Sequence, residues 1–210
     1  MKDRVIIIGN AGAARECYWM LREILPKRED LVFGGFLAFE GFAGNLSDLA
    51  HFSLGSDDDY LSSPQDVFII GIGLPALRLN AYHKWKERGG RFINLVHPTV
   101  IIRENAVVGE GNIFTKDTFV SCDVKIGHAN YLNGTVIVGH DARIGDGNFF
   151  GTFSIILADA CIGSGNSLGV HATVLPKAKI GDDNIIAPGA YVYKGCGDNC
   201  VMAGNPALKI

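Results

Sequence analysis

A histidine followed directly by an aspartate is the residue pair in this chain best suited to acid–base chemistry. In the pair His140 and Asp141, a neutral imidazole can accept a proton from an attacking amine or hydroxyl near neutral pH. The neighbouring carboxylate can fix the tautomer of the imidazole or stabilise its protonated form. His128 stands in a similar local sequence but has no acidic follower, and we interpret it as a surface histidine. From these residues alone, His140 could be a general base or an ordinary surface histidine.

The placement of His140 follows from an apolar residue at every sixth position between Ile102 and Val192. A period of six is typical of a parallel β-helix, in which three hexads make a coil of about eighteen residues. The apolar residue points inward, and a small residue often stands two positions before it. Because His140 comes two positions after the inward Val138, we predict that it lies at an outward corner, with His128 on another face. The inward series is Ile102, Val108, Phe114, Val120, Ile126, Leu132, Val138, Ile144, Phe150, Ile156, Ile162, Leu168, Val174, Ile180, Ile186 and Val192.

The amino-terminal third alternates apolar runs with helical patterns. This alternation predicts a small parallel α/β unit of Rossmann type. We predict strands over residues 4–9, 31–37, 66–73 and 92–96, and helices over residues 11–25 and 75–88. The fold class is therefore a Rossmann-like α/β domain (residues 1–96) followed by a left-handed parallel β-helix with a carboxyl-terminal cap (residues 97–210).

A glycine turn follows the first predicted strand at Gly9-Asn10-Ala11-Gly12. Its backbone N–H groups could face a phosphate or a sugar nucleotide. The complete GxGxxG fingerprint is absent, so an ordinary structural turn is also open. Ligands of open α/β sheets bind beyond the carboxyl ends of the strands, and we therefore expect Gly9, Leu37 and Gly73 to converge.

Composition narrows the choice of partners and of cellular compartment. The 210 residues carry a net charge of −3, which gives no support to a nucleic-acid or anionic-membrane role. No apolar run approaches the roughly 18 residues of a membrane span. The first residues lead straight into a strand without the pattern of a secretory signal. The five cysteines have no zinc-ligand spacing, so we expect reduced thiols, no metal and a cytoplasmic location.

The chain resembles the sugar O-/N-acyltransferases of the sialic acid O-acetyltransferase type, which include bacillosamine-pathway and perosamine-type N-acetyltransferases. The resemblance covers nearly the whole chain. Its most specific stretch is Asn133 followed seven residues later by His140-Asp141-Ala142-Arg143-Ile144-Gly145. The other markers are Gly9-Asn10-Ala11-Gly12, Asn94-Leu95-Val96-His97-Pro98, the hexads and Ala203-Gly204-Asn205-Pro206-Ala207.

The resemblance implies an acetyltransferase that moves an acetyl group from acetyl-CoA to the amino group of a nucleotide-linked amino sugar. It implies that His140 is the general base, that Asp141 orients or polarises it, and that acetyl-CoA lies along the β-helix between subunits of a homotrimer. The substrate-binding residues that it suggests are Gly9, Asn10, Ala11, Gly12, Ala13, Leu37, Ala38, Gly73 and Asn133. Those suggested for the cofactor are Phe149, Ala158, Val170 and Pro188.

Three departures from the family pattern affect the substrate more than the catalysis. Ala13 stands where relatives often carry a sugar-contacting histidine, and Phe149 replaces a histidine that contacts coenzyme A in some of them. Leu37-Ala38-Phe39 replaces acidic residues often found after the second strand. These changes leave a general-base role for His140 intact but make the identity of the sugar less certain.

Two alternatives remain open. O-acetylation of a sugar hydroxyl would use the same catalytic residues, and a non-catalytic sugar-nucleotide-binding scaffold would use the same fold. A metal-dependent enzyme of the γ-carbonic anhydrase type needs three histidines that converge from adjacent subunits. The spacings between His128, His140 and His171, 12 and 31 residues, do not stack them. We therefore expect no metal.

Overall fold

A computed structural model describes residues 2–39 and 44–210 of the chain. Its amino-terminal unit is a four-stranded parallel sheet in the order β3-β2-β1-β4. No helix in the described residues is long and apolar enough to cross a membrane. The elements are β1 (Asp3–Ile8), α1 (Gly12–Ile24), β2 (Leu31–Ala38), β3 (Ser53–Ser56), β4 (Asp66–Ile70) and α2 (Pro75–Glu87), with 3₁₀ turns at Leu25–Lys27 and Ser47–Phe52.

The predicted parallel α/β unit is present, while its assignment to the Rossmann type remains a prediction. The predicted strand over residues 66–73 ends at Ile70, because residues 71–73 turn away and line a cavity. The predicted strand over residues 92–96 shrinks to Leu95–Val96, and Phe92 forms only an isolated bridge with Phe68. The edge strand β3 was not predicted, since the sequence Ser-Leu-Gly-Ser has no apolar run.

The rest of the chain forms three stacks of short parallel strands, which fit a left-handed β-helix. Face I contains β5 (Leu95–Val96), β8 (Ile113–Phe114), β11 (Tyr131–Leu132), β14 (Phe149–Phe150), β17 (Ser167–Leu168), β20 (Ile185–Ile186), β23 (Val201–Ala203) and the antiparallel β24 (Leu208–Lys209). Face II contains β6 (Ile101–Ile102), β9 (Phe119–Val120), β12 (Ile137–Val138), β15 (Ile155–Ile156), β18 (Thr173–Val174) and β21 (Tyr191–Val192). Face III contains β7 (Val107–Val108), β10 (Lys125–Ile126), β13 (Arg143–Ile144), β16 (Cys161–Ile162), β19 (Lys179–Ile180) and β22 (Gly195–Cys196).

The inward series predicted from the six-residue period forms the core of this coil. Every member from Phe114 to Val192 is buried. Ile102 and Val108, which lie in the first coil, are only partly buried, because a terminal coil has a neighbour on one side only. Through most of the coil, partners on neighbouring strands are eighteen residues apart, as in the pair Ile126 and Ile144, whereas in the last coil Ile185 pairs with Val201, sixteen residues on.

A column of buried asparagines runs along the corner between faces III and I. Its members Asn112, Asn130, Asn148, Asn166 and Asn184 are at most 1% exposed. In each step the side-chain oxygen of one asparagine accepts the backbone N–H of the asparagine in the next coil. Asn148 Oδ1, for example, accepts both the backbone N–H and the Nδ2–H of Asn166, each at 2.9 Å. The small residue of the hexad therefore has a second role in this corner. Its side-chain oxygen accepts hydrogen bonds from the buried amide groups of the next coil.

We predict that Asn166→Ala destabilises the protein by about 1–3 kcal/mol, because it leaves the backbone N–H and the Nδ2–H of Asn184 without their acceptor and removes one of the two hydrogen bonds that Asn148 Oδ1 accepts. The matched control is Asn105→Ala, since Asn105 is exposed and bonds only to the Asp123 carboxylate at 2.8 Å. Chemical denaturation measures both. Equal free energies of unfolding for the two variants would contradict a structural role for the column.

Candidate active site

His140 lies at the corner between β12 on face II and β13 on face III, outside the coil as predicted. Its Nδ1 is 2.8 Å from Oδ2 of Asp141, and both side chains are more than half exposed. Asp141 adopts a φ of 59°, which aspartate tolerates better than most residues and which turns the carboxylate back toward the ring. If the carboxylate accepts the Nδ1 proton, the Nε2 lone pair of a neutral ring is free to accept another.

His128 lies at a different corner, between faces III and I. Its ring stacks on Tyr82 of α2 with centroids 5.5 Å apart, and its Nδ1 accepts the backbone N–H of Glu110 at 3.1 Å. Its separation from His140 is as predicted, but the ring is half-buried, because α2 covers this corner. The unprotonated Nδ1 connects two coils, which is a structural role.

A cavity of about 410 Å³ opens between the amino-terminal unit and face I. It brings together six of the residues predicted to bind substrate and one predicted to bind cofactor. No charged side chain among the described residues lines it, so a ligand there would meet their backbone polar groups and apolar side chains. The lining residues are Gly9, Asn10, Ala11, Gly12, Ala13, Phe39, Gly71, Ile72, Gly73, Leu74, Pro75, Phe149 and Ser167.

Three of the residues predicted to bind substrate lie outside this cavity. Leu37 is fully buried, and its carbonyl oxygen accepts the Gly9 N–H at 2.8 Å, so it supports the loop from below. Ala38 ends β2 and pairs with Ser56. Asn133 lies on the β-helix, at the corner between faces I and II. The sequence identified the correct end of the sheet, but it did not show that Phe39 reaches the cavity instead of Leu37 and Ala38.

Two loops of the amino-terminal unit approach each other closely at the base of the cavity. Gly9 has a φ of +129°, and a Cβ there would overlap the carbonyl oxygen of Gly71. A Cβ on Gly71 would in turn lie 2.7 Å from the Cα of Ala14 in α1. Glycine is therefore needed at both positions for the loops to enclose the cavity.

Arg78 is a buried residue behind the cavity that sequence analysis missed. Its guanidinium donates to the carbonyl oxygens of Ile72 at 3.0 Å, Gly73 at 2.8 Å and Asn148 at 3.2 Å. It thereby joins the cavity wall to the β-helix. Burial lowers the pKa of Arg78 to about 10, so the group remains protonated at neutral pH. A charged residue in a helix whose sequence shows no clear apolar face gives no signal that a second unit covers it.

The four residues predicted to bind the cofactor lie in three different places. Phe149 lines the cavity, with its ring 5.4 Å from that of Tyr131. Ala158 lies one coil above His140 at the same corner, and the Asp159 N–H donates to the His140 carbonyl oxygen at 3.0 Å. Val170 and Pro188 are exposed at the corner between faces I and II. A single chain therefore does not bring these residues together.

The described residues contain no group of three or more side chains that could hold a metal ion. His128, His140 and His171 lie at the three different corners of the coil. Within one chain, the three histidines therefore do not converge on a common site.

No protein-family model matches the chain, and no curated protein matches it either. Solved structures, in contrast, do match the chain. PerB from Caulobacter crescentus, solved with CoA and GDP-perosamine, is 25% identical over 98% of this chain and 96% of that chain, with a TM-score of 0.82. WeeI from Acinetobacter baumannii is 21% identical over the whole of both chains, with a TM-score of 0.85.

The acetyltransferase domain of PglB from Neisseria gonorrhoeae, solved with acetyl coenzyme A, is 17% identical over the whole of both chains, with a TM-score of 0.87. These matches span the amino-terminal unit as well as the coil. They support the left-handed β-helix that the sequence resemblance implied, while the Rossmann type of the amino-terminal unit stays a prediction.

We predict that Gly9→Ala lowers the free energy of unfolding by about 1–3 kcal/mol, because the left-handed φ and the contact with Gly71 both oppose a Cβ. The matched control is Gly12→Ala in the same cavity wall, where a Cβ meets nothing within 4 Å. Thermal unfolding compares them. A Gly9→Ala protein as stable as Gly12→Ala would show that the two loops do not need their close approach.

Proposed function

We propose that the chain is an acetyl-CoA-dependent acetyltransferase that acts on the amino group of a nucleotide-linked amino sugar. The observation that carries this proposal is the outward pair of His140 and Asp141, joined at 2.8 Å. The matched structures add support, since PerB was solved with CoA and GDP-perosamine bound. Two further structures of a perosamine N-acetyltransferase carry asparagine or alanine in place of one histidine, with the same two ligands.

The proposed reaction needs no covalent enzyme intermediate, because a thioester is already activated. The sugar amine attacks the thioester carbonyl while Nε2 of His140 accepts a proton from the amine nitrogen. The tetrahedral intermediate then collapses, the C–S bond breaks, and the proton held by His140 goes to the departing thiolate. Asp141 keeps the proton on Nδ1 and stabilises the imidazolium between the two steps.

The active site is proposed to form between two copies of the chain. The cavity lies against face I, whereas His140 lies at the corner between faces II and III, on the opposite side of the triangular coil. One chain therefore cannot present both to the same substrate. We propose a homotrimer in which the cavity of one subunit faces His140 of the next.

The outer surface of face II supports such an assembly. Ile101, Ile137 and Tyr191 point outward from this face and are 52%, 39% and 38% exposed. Face III carries Lys125, Arg143 and Lys179 at its outward positions instead. Since an apolar sheet face is stabilised by burial, face II is the surface that we expect the subunits to share.

The two units have separate tasks in this proposal. Residues 1–96 would hold the sugar nucleotide, and residues 97–210 would hold the acetyl donor and the base. The strand Leu95–Val96 already pairs on face I, so the first unit leads directly into the coil. The described lining of the cavity contains no charged side chain, and Ala13 leaves room there, so we expect substrate contacts through backbone groups. An acetyl-CoA donor and the unpaired cysteines of the chain fit a cytoplasmic enzyme.

The test is thiol release from acetyl-CoA with UDP-, GDP- and dTDP-linked 4-amino sugars. We predict that His140→Ala lowers kcat by about 100-fold or more and Asp141→Asn by about ten-fold, since a general base contributes more than the group that orients it. His83→Ala is the control, because His83 is exposed on α2.

Unchanged turnover in His140→Ala would exclude the general-base role. Sugar-nucleotide binding without thiol release across the whole panel would favour a non-catalytic scaffold. Turnover with the corresponding hydroxyl sugars alone would make the enzyme an O-acetyltransferase.

A further inference from the structure

Two cysteines stand in the last coil at positions where the preceding coils carry other residues. Cys196 pairs with Ile180 and so takes the inward position that isoleucine holds on face III in the preceding coils. Cys200 takes the next place in the asparagine column, because its backbone N–H donates to Asn184 Oδ1 at 2.7 Å. The turn that reads Ile-Gly-Asp-Asp-Asn in one coil therefore reads Cys-Gly-Asp-Asn-Cys in the next, with a thiol on each side of the corner between faces III and I.

These two thiols meet at the end of the coil's core. Cys200 is 6% exposed and belongs to that core, and Cys196 is half-buried and packs against it. The Cys196 thiol forms a hydrogen bond with the Cys200 thiol. The turn between them is held by the coil before it, since the Asn199 N–H donates to the carbonyl oxygen of Asp182 at 2.9 Å. The backbone therefore keeps the two sulfur atoms together without a covalent bond.

The other three cysteines lie elsewhere in the fold. Cys17 is buried in α1 of the amino-terminal unit, and Cys122 is exposed at the corner that carries His140. Cys161 is at the outward position of β16 on face III, two strands away from Cys196 in the same stack. The geometry therefore singles out one pair of thiols.

We infer that Cys196 and Cys200 form a reversible intramolecular disulfide, which makes the end of the coil a site of oxidative modification. The oxidant of this inference is a low-molecular-weight disulfide such as glutathione disulfide. The Cys196 thiolate attacks one sulfur of the oxidant, whose S–S bond breaks, and a mixed disulfide forms on Cys196. Cys200 then attacks the Cys196 sulfur and displaces the second glutathione. Each glutathione thiolate that leaves takes up the proton of the cysteine that attacked, so one disulfide is reduced as the other forms.

The surroundings of Cys196 determine how fast the bond forms and breaks. Burial, followed by the neighbouring Cys200 thiol, raises the pKa of Cys196 to about 11, and Asp198 adds to this shift while the Lys209 ammonium opposes it. The thiolate is therefore scarce at neutral pH, so the bond forms slowly and forms faster as the pH rises. Because a thiol of high pKa is also a poor leaving group, the disulfide resists reduction once it has formed.

The test treats the native full-length protein with glutathione disulfide at mildly alkaline pH, denatures it, alkylates the free thiols and measures the mass of the tryptic peptide of residues 195–209, which contains both cysteines. We predict that this peptide loses two hydrogen atoms and escapes alkylation, whereas the untreated protein gives the doubly alkylated peptide. The matched control is Cys161→Ser, since Cys161 is on the same face and is also half-buried. This variant should form the disulfide as the wild type does.

The single variants test the order of the two steps. Cys200→Ser should stop at the mixed disulfide, with one glutathione on Cys196. Cys196→Ser should take up none on Cys200, because Cys200 is buried.

Thermal unfolding of the wild type supplies a readout that needs no variant. The oxidised protein should unfold about 2–8 °C above the reduced protein, because the cross-link restricts the unfolded chain. Treatment with dithiothreitol should remove this difference and restore double alkylation of the peptide.

Three results would overturn the inference. They are a doubly alkylated peptide after oxidation of the native protein, a glutathione that stays on this peptide in the wild type, and a disulfide that disappears in Cys161→Ser. Neither cysteine lines the cavity or lies at the corner of His140, so each of these results leaves the transferase proposal untouched.

Discussion

The hydrogen bonds of the buried asparagine column hold successive coils eighteen residues apart, and the placement of every functional group depends on that register. Each step joins the side-chain oxygen of one asparagine to the backbone N–H of the next, as between Asn166 and Asn184 at 2.9 Å. A slip of one residue would turn the inward aliphatic residues to solvent and the corner residues into the core. Aliphatic packing is non-directional, so the directional bonds of the asparagines, together with the strand hydrogen bonds, add to the inward pattern in fixing one register.

With the register fixed, each corner of the coil becomes a column of equivalent positions with its own chemistry. One corner is structural, with the asparagines inside and half-buried His128 connecting two coils outside. Another carries His140 on its outer surface, with the exposed Asp141 beside it and the exposed Asp159 one coil beyond. The amino-terminal unit covers face I, where Arg78 donates to both the cavity wall and the Asn148 carbonyl oxygen. That buried cation joins the cavity wall to the coil by hydrogen bonds.

Much of this could be predicted from the sequence, because a six-residue period indicates both the coiled shape of the backbone and whether each side chain points into or out of the coil. The period placed Val138 inside and His140 outside, and the structure agrees. The glycine turn at residues 9–12 also predicted one wall of the cavity. What the sequence could not show was packing between distant segments: the cover of α2 over His128, the buried position of Arg78, and Phe39 in the cavity where Leu37 was expected. Those contacts depend on the angle between the two units, which leaves no local pattern in either of them.

The central claim is that the base and the cavity of one active site come from different subunits. Co-expression of His140→Ala with Gly12→Trp tests it, since a tryptophan at Gly12 enters open space in the cavity and each variant alone lacks one half of the site. In randomly mixed trimers about one quarter of the sites pair an intact cavity with an intact His140, so thiol release should return to about one quarter of the wild-type rate. Mixed assemblies that are no more active than the two variants measured separately would contradict the account.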